Sequence, residues 1–313
     1  MNTETFDVDR PGRADALVAE HLGISRTKAA QWCTLGVVRA GPNSDALEVV
    51  GKSTKIALGS RLVIEIPEEP DPLDVKVEIV AGLNVIADEH DYVVVDKPAG
   101  VAAHPSPGWS GPTVVGGLAG LGYRISTSGA AERQGIVHRL DVGTSGLMVV
   151  ATTEHAYTAL KNAFRDRTPK KIYHTIVQGL PDPLNGTIDA PIGRHPGHDW
   201  KFTVLEGGRD SITHYKTLEA FGPATLVEVT LETGRTHQIR VHFSGMNHPC
   251  IGDLTYGADP TQAAELGLTR QWLHAHQLGF EHPGTGEWVE YHSDYQPDLS
   301  YALSVLRGER LDS

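Results

Sequence analysis

Two opposite charges stand directly before an apolar run in His138–Val150, HRLDVGTSGLMVV. Leu147, Met148, Val149 and Val150 suit a buried strand, and Gly143, Thr144, Ser145 and Gly146 make a tight turn ahead of them. If His138–Asp141 is extended, its side chains alternate. Arg139 and Asp141 then share one face, and His138 and Leu140 the other. An arginine beside a carboxylate has two readings. One is an ion pair anchoring a strand end. The other is an ionised nucleophile or base held in a cleft by positive charge. The glycine-rich turn favours the second, because it lets a partner approach the backbone closely.

Other segments add groups of the same kind. KIYHTIVQG carries Tyr173 on an apolar strand, with Thr175 and Val177 on its side. A core tyrosine with a satisfied hydroxyl is the bland alternative to a working ring. Lys161, Arg165, Arg167, Lys170 and Lys171 precede or open that strand, opposed only by Asp166. In TGRTHQIRVHFSGMNHPCIGD, Arg235, His237, Arg240 and His242 cluster. Thr236 is placed to cap a helix with Ile239, Phe243 and Met246 along one stripe, a strand being the other reading, and Arg240 is the candidate second cation near Asp141. The 16 histidines invite a metal, with His274 and His276 one residue apart. No H-x-x-x-H or H-x-x-E-H helix supports this, so no metal is expected. There is no phosphate-binding loop, dinucleotide fingerprint or G-x-S-x-G elbow.

These groups need a scaffold. The chain has 313 residues, 40% hydrophobic and 21% charged, an ordinary globular composition. Its two cysteines, Cys33 and Cys250, give no disulfide framework, and a reducing cytoplasm is the expected compartment. The first residues lack an apolar signal segment, and no run reaches the length of a membrane helix. The net charge of −12 argues by itself against a nucleic-acid partner. The local basic clusters argue the other way.

The proline-rich, acidic stretch EIPEEPDPLDVKVEIV marks a boundary near Pro67–Leu73. Before it, Ala14, Leu17, Val18 and Leu22 have helical spacing. A second helix starts after the cap Ser25 and ends at Gly36. Arg26 and Lys28 lie in its first turn, where positive charge opposes the helix dipole. Either an external anion compensates them, or they are two exposed solubilising residues. Leu62, Ile64 and Ile66 alternate as a strand. After the boundary, strand patterns dominate, interrupted by one clear amphipathic helix over TTEHAYTALKNAFRDR. A mixed, largely antiparallel α+β domain is expected, preceded by a small α+β unit.

The order of elements over residues 12–66 resembles the S-four RNA-binding domain. GIVHRLDVGTSGLMVVA is similar to the central motif of the RluA-type pseudouridine synthases, in their RluD-like branch. VVVDKPAGVAAHP, PKKIYHTIVQG, TGRTHQIRVHFSGMNHPCIGDLTYG and RQWLHAHQLGFEHP resemble further family blocks in the same order, over about residues 12–297. The resemblance implies an S-four-like domain at 12–66, a linker at 67–75 and a catalytic domain at 76–310. It implies isomerisation of uridine to pseudouridine in RNA, large-subunit ribosomal RNA first and transfer RNA second. No cofactor or metal is implied, and a cytoplasmic monomer is expected.

Residue by residue, Asp141 matches the catalytic aspartate and Tyr173 the tyrosine stacked on the target base. Arg240 matches the arginine paired with the aspartate, and Arg139 the one that fills the gap left by the flipped base. Arg26, Lys28, Lys170, Lys171 and Arg235 are expected to bind RNA on one basic face, with acids behind. One departure stands out: the family often reads HRLDKDTSG, and here Val142 and Gly143 replace the lysine and the acid. The rival readings are an RNA-binding module without catalysis and a histidine-metal hydrolase.

Overall fold

The computed structural model describes residues 2–66, 77–106, 109–127 and 134–309. The expected linker at 67–75 lies outside the described residues. Local chemistry shapes the first unit. It contains β1 (Asn2–Asp7), β2 (Gly12–Arg13), α1 (Ala14–Leu22), α2 (Arg26–Leu35), β3 (Val38–Gly41), β4 (Glu48–Val49), β5 (Lys55–Ile56) and β6 (Arg61–Ile66). The Ser25 hydroxyl accepts the Lys28 N–H at 3.2 Å and so starts α2, which Gly36 ends at φ 75°. Leu17, Val18, Val38, Leu62 and Ile64 form a core of their own, over a sheet ordered β1-β6-β3-β4.

The larger unit continues with β7 (Asn84–Asp88), β8 (Tyr92–Lys97), α3 (Val114–Gly120), β9 (Ser145–Ala151), α4 (Glu154–Asp166), β10 (Lys170–Gln178) and β11 (Asn185–Asp189). A hairpin of β12 (Ile192–His195) and β13 (His198–Val204) follows. Then come β14 (Ile212–Ala220), β15 (Ala224–Leu231), α5 (Gln238–Gly245), α6 (Pro260–Glu265), β16 (Leu273–Glu281), β17 (Trp288–His292) and α7 (Pro297–Arg307). The main sheet runs β11-β14-β15-β10-β16-β9-β8-β7, with β17 also paired to β16. Every pairing is antiparallel except β9 with β16. The mixed, largely antiparallel α+β expectation is borne out. Among the described residues no helix is long and apolar enough to cross a membrane.

Both faces of the central strands are covered, which explains their unbroken apolar runs. Val95, Met148, Val150, Val229 and Tyr173 pack with Val114 of α3 and with Ile239 and Phe243 of α5. On the other face, Val94, Leu147 and Val149 meet Ala156 and Leu160 of α4. Thr153 caps α4 by accepting the Ala156 N–H at 3.2 Å. Gly146 lets β9 and β16 approach: its φ is +111°, and a Cβ there would sit 2.3 Å from the Ala275 carbonyl oxygen. No side chain fits that position without displacing a strand.

The far face of β10 departs from simple alternation. Ile172, His174 and Ile176 are buried there as fully as Tyr173 on the site face. His174 stacks on His276 at 4.2 Å, and its Nδ1 lies 2.6 Å from the Tyr295 hydroxyl. His274 sits between the hydroxyls of Ser145 and Ser293, at 2.9 and 3.2 Å. The histidine pair that invited a metal is thus engaged in packing and hydrogen bonds.

Burial keeps several histidines neutral: His174 is lowered to about 4, His274 to about 3, and His138, in the active cleft, to about 3. Unfolded, each takes up a proton near the ordinary value of about 6.5. Between about pH 4 and 6.5 the unfolded chain therefore binds more protons, and stability falls as pH falls. Each histidine contributes a slope of up to about 1.4 kcal/mol per pH unit. The urea midpoint is expected to drop steeply below about pH 6.5, before the carboxylates titrate. A midpoint flat down to pH ~5 would contradict the neutral assignment.

Candidate active site

The segment before β9 is irregular backbone rather than a strand, yet its side chains still point alternately inward and outward. His138 and Leu140 anchor it. The Val149 N–H donates to His138 Nε2 at 3.0 Å, and the ring stacks on Phe164 at 4.4 Å. Leu140 joins the main core. Arg139 is exposed, and the Asp141 side chain is 16% exposed at the mouth of a cleft.

The turn after Asp141 is fixed from below. The Asp141 carbonyl accepts the Thr144 N–H at 3.0 Å, and the Val142 carbonyl accepts the Gly100 N–H at 2.9 Å. Lys97, fully buried at the end of β8, donates to the carbonyls of Pro98, Val101 and Val142 at 2.9, 2.8 and 3.3 Å. Burial lowers its pKa to about 7, against the attraction of Asp141. Three carbonyl acceptors match the three protons of an ammonium. Gly143 lies under Gln271: a Cβ there would fall 2.6 Å from its Oε1. Gln271 donates to the Thr144 hydroxyl at 3.2 Å, and Arg270 donates to the Gly143 carbonyl at 3.0 Å.

Arg240 reaches the site from α5. Its Nη1 donates to Asp141 Oδ2 at 3.3 Å. Its bidentate partner is a different residue, Asp253, at 2.6 and 2.9 Å. The expected pairing of Arg240 with Asp141 is therefore a single contact, where a bidentate grip on both carboxylate oxygens would suit an arginine best. Asp253 is the anchor and Asp141 the free end of the network. The Tyr256 ring lies 4.9 Å from the guanidinium. The two carboxylates raise the Arg240 pKa against its burial, so it stays charged.

The helix starts one residue later than Thr236 suggested. His237 is the N-cap, in the left-handed region at φ 57° and without a side-chain cap bond. Its Nδ1 lies 2.8 Å from the Tyr256 hydroxyl, and its Nε2 lies 3.8 Å from Asp141 Oδ2. The Phe202 N–H already donates to the Tyr256 oxygen. The Tyr256 hydroxyl is then free to donate to Nδ1, leaving the imidazole proton on Nε2, towards Asp141. Burial lowers the His237 pKa, while Asp141 opposes that shift.

Tyr173, on β10, faces the same cleft. Burial first, then the charge of Asp141, raises its pKa, so the phenol stays protonated. It offers a ring rather than a base. Asp141, Tyr173, Arg139, Arg235, His237 and Arg240 surround a cavity of about 90 Å³. This cavity shares Arg139, Tyr173 and Arg235 with a larger neighbour of about 540 Å³, which Lys171 also lines.

Other expected RNA contacts are placed differently. Lys28 is buried, 3.2 Å from Glu154 and 3.1 Å from the Thr127 hydroxyl. An outside anion is not what compensates it; a carboxylate of the larger unit does. Arg26 is exposed but bound to Asp15 at 3.3 Å. Lys170 points away from Lys171, to Glu290 at 3.1 Å. The single basic face expected from these positions is thus broken by internal pairing. The sequence reading missed Lys97, Asp253 and Tyr256, and named His237 only as one member of a basic cluster. Asp253 and Tyr256 lie inside the quoted TGRTHQIRVHFSGMNHPCIGDLTYG block, but no local pattern marks them. Among the described residues no cluster of three or more metal-ligating side chains occurs.

Residues 91–245 match the family model described as RNA pseudouridylate synthase. A protein of Mycobacterium bovis, an uncharacterized RNA pseudouridine synthase, is 57% identical, with 95% of each chain covered. A ribosomal large subunit pseudouridine synthase D of Neisseria meningitidis is 38% identical, over 96% of this chain and 81% of the relative. Among solved structures, the human RNA pseudouridylate synthase domain containing 1 superposes with a TM-score of 0.56. It shares 27% identity, with 77% of this chain and 98% of that one covered.

Proposed function

Because the chain belongs to the RNA pseudouridylate synthase family, we propose that Asp141 is the reacting carboxylate of its uridine-to-pseudouridine isomerisation. The carboxylate's position carries this reading: Asp141 lies at the mouth of the small cavity, 3.3 Å from a buried arginine and beside the Tyr173 ring. The reaction breaks the bond from uracil N1 to ribose C1′ and forms one from C5 to C1′. The C5 proton leaves and N1 gains one. Atoms and electrons balance without a redox partner, so no cofactor is required.

The target atoms are closed off in a base stack, and flipping the nucleotide out costs a few kcal/mol. Stacking on Tyr173 returns about 1–3 kcal/mol. Arg139, exposed at the cleft rim, fills the vacated place. Arg240 orients Asp141 through a charge-assisted hydrogen bond, and is itself held by Asp253. His237 presents a proton to the same carboxylate. Arg235 and Lys171 meet the RNA backbone.

The small unit, residues 12–66, acts as an S-four-like RNA-binding domain ahead of a catalytic domain at 76–310. Arg26 and Lys170, although paired, remain on exposed surface and add to docking. The relative named for the large ribosomal subunit favours ribosomal RNA as the substrate. Two buried free cysteines suit a cytoplasmic enzyme, acting as a monomer. Pseudouridine mapping of total RNA from cells with and without the protein tests the substrate. A site in large-subunit ribosomal RNA is expected to disappear. Loss confined to transfer RNA would move the substrate class, and loss at no site would overturn the reading.

A further inference from the structure

The cavity of about 540 Å³ beside Asp141 has no part in the chemistry, yet cations dominate its charged lining. Lys171 lines it. That side chain is 8% exposed and has no hydrogen bond or ion pair among the described residues. Arg167, Arg139 and Arg235 line the same space. The carboxylate on its wall, Glu232, is engaged by His214 Nε2 at 2.6 Å. Arg167 closes α4 in the left-handed region at φ 61°, a position that usually falls to glycine or asparagine. A desolvated cation without a partner costs stability, and so does this backbone. Both costs are offset if an anion from outside completes the site.

We propose that this cavity seats a phosphodiester group of the RNA strand next to the flipped uridine, with Lys171 and Arg167 as its cation pair. The geometry suits a continuous strand. Tyr173, Arg139 and Arg235 line both cavities, so a chain leaving the stacked base runs directly into the second. The stacked Phe164 and His138 rings form an apolar wall beside it. Lys171 is lowered to about 8, by burial first and Arg167 second, so it is still largely charged at neutral pH. The assignment rests on the proposed RNA substrate.

The test measures binding of a labelled large-subunit ribosomal RNA transcript over a series of KCl concentrations. Lys171→Gln and Arg167→Gln are each expected to weaken binding about tenfold. Each should also flatten the slope of log affinity against log salt by about 0.7–0.9, the share of one phosphate contact. Lys171→Arg keeps the slope. Lys171→Met, which removes a desolvated charge, raises the thermal midpoint, whereas a merely structural lysine would lower it. An unchanged slope in Lys171→Gln overturns the subsite. Binding needs no catalysis, so failure of the enzyme reading shows separately, as absence of pseudouridine in RNA treated with the unmodified protein.

Discussion

Asp141→Asn folds, binds RNA and loses at least about 10³-fold of its rate. The substitution keeps shape and removes charge. Arg240 retains its bidentate grip on Asp253 at 2.6 and 2.9 Å, so the buried network survives. The arginine contact that weakens is single and 3.3 Å long, the His237 approach is 3.8 Å, and the side chain is partly exposed. A stability change below about 1 kcal/mol follows. The rate depends on the carboxylate itself, because an amide neither attacks a sugar carbon nor removes a sugar proton. Single-turnover formation of pseudouridine, with RNA affinity measured in parallel, checks both halves. A variant retaining a tenth or more of the rate would remove Asp141 from the reaction.

Arg240→Met has the largest expected effect on stability. It leaves Asp253, whose side chain is 1% exposed, without its cation. Breaking a buried pair from one side costs about 3–5 kcal/mol. It also strips Asp141 of its one arginine contact. Adding Asp253→Leu removes the stranded charge. The double variant is expected to regain most of the stability, and none of the activity. Urea unfolding of the two variants separates these terms. A single variant within about 1 kcal/mol of the unmodified protein would contradict the anchoring role of Asp253.

Much of this arrangement was legible locally. The cap at Ser25, a threonine cap at Thr152 or Thr153, of which the structure uses Thr153, the apolar runs of β8 and β9, and the inward Leu140 against the outward Asp141 follow from short patterns. What escaped depends on distant pairing. Lys28 reads as a free cation in its own helix, and only the fold brings Glu154 to it. Asp253 gives no periodic signal, because its role comes from meeting α5 across a turn. Lys97 reads as the end of a strand, and its three carbonyl partners come from loops that fold around it.

The Val142-Gly143 departure also resolves in three dimensions. Gln271 occupies the space over Gly143 and bonds Thr144, while Arg270 and Lys97 hold the Gly143 and Val142 carbonyls, so the turn is fixed by charges from other segments. The net charge of −12 misleads for a related reason. It sums over the whole chain, whereas the cations that matter line one connected cleft.

The central claim is that Asp141 drives an isomerisation in which uracil C5 bonds to the ribose, which requires the C5 proton to leave. Tritium release from RNA made with 5-tritiated uridine measures that step directly. The unmodified protein is expected to release one tritium per pseudouridine formed, in the presence of a metal chelator, and Asp141→Asn none above background. Release by Asp141→Asn at the unmodified rate, or none from the unmodified protein on RNA that it binds, would contradict the account.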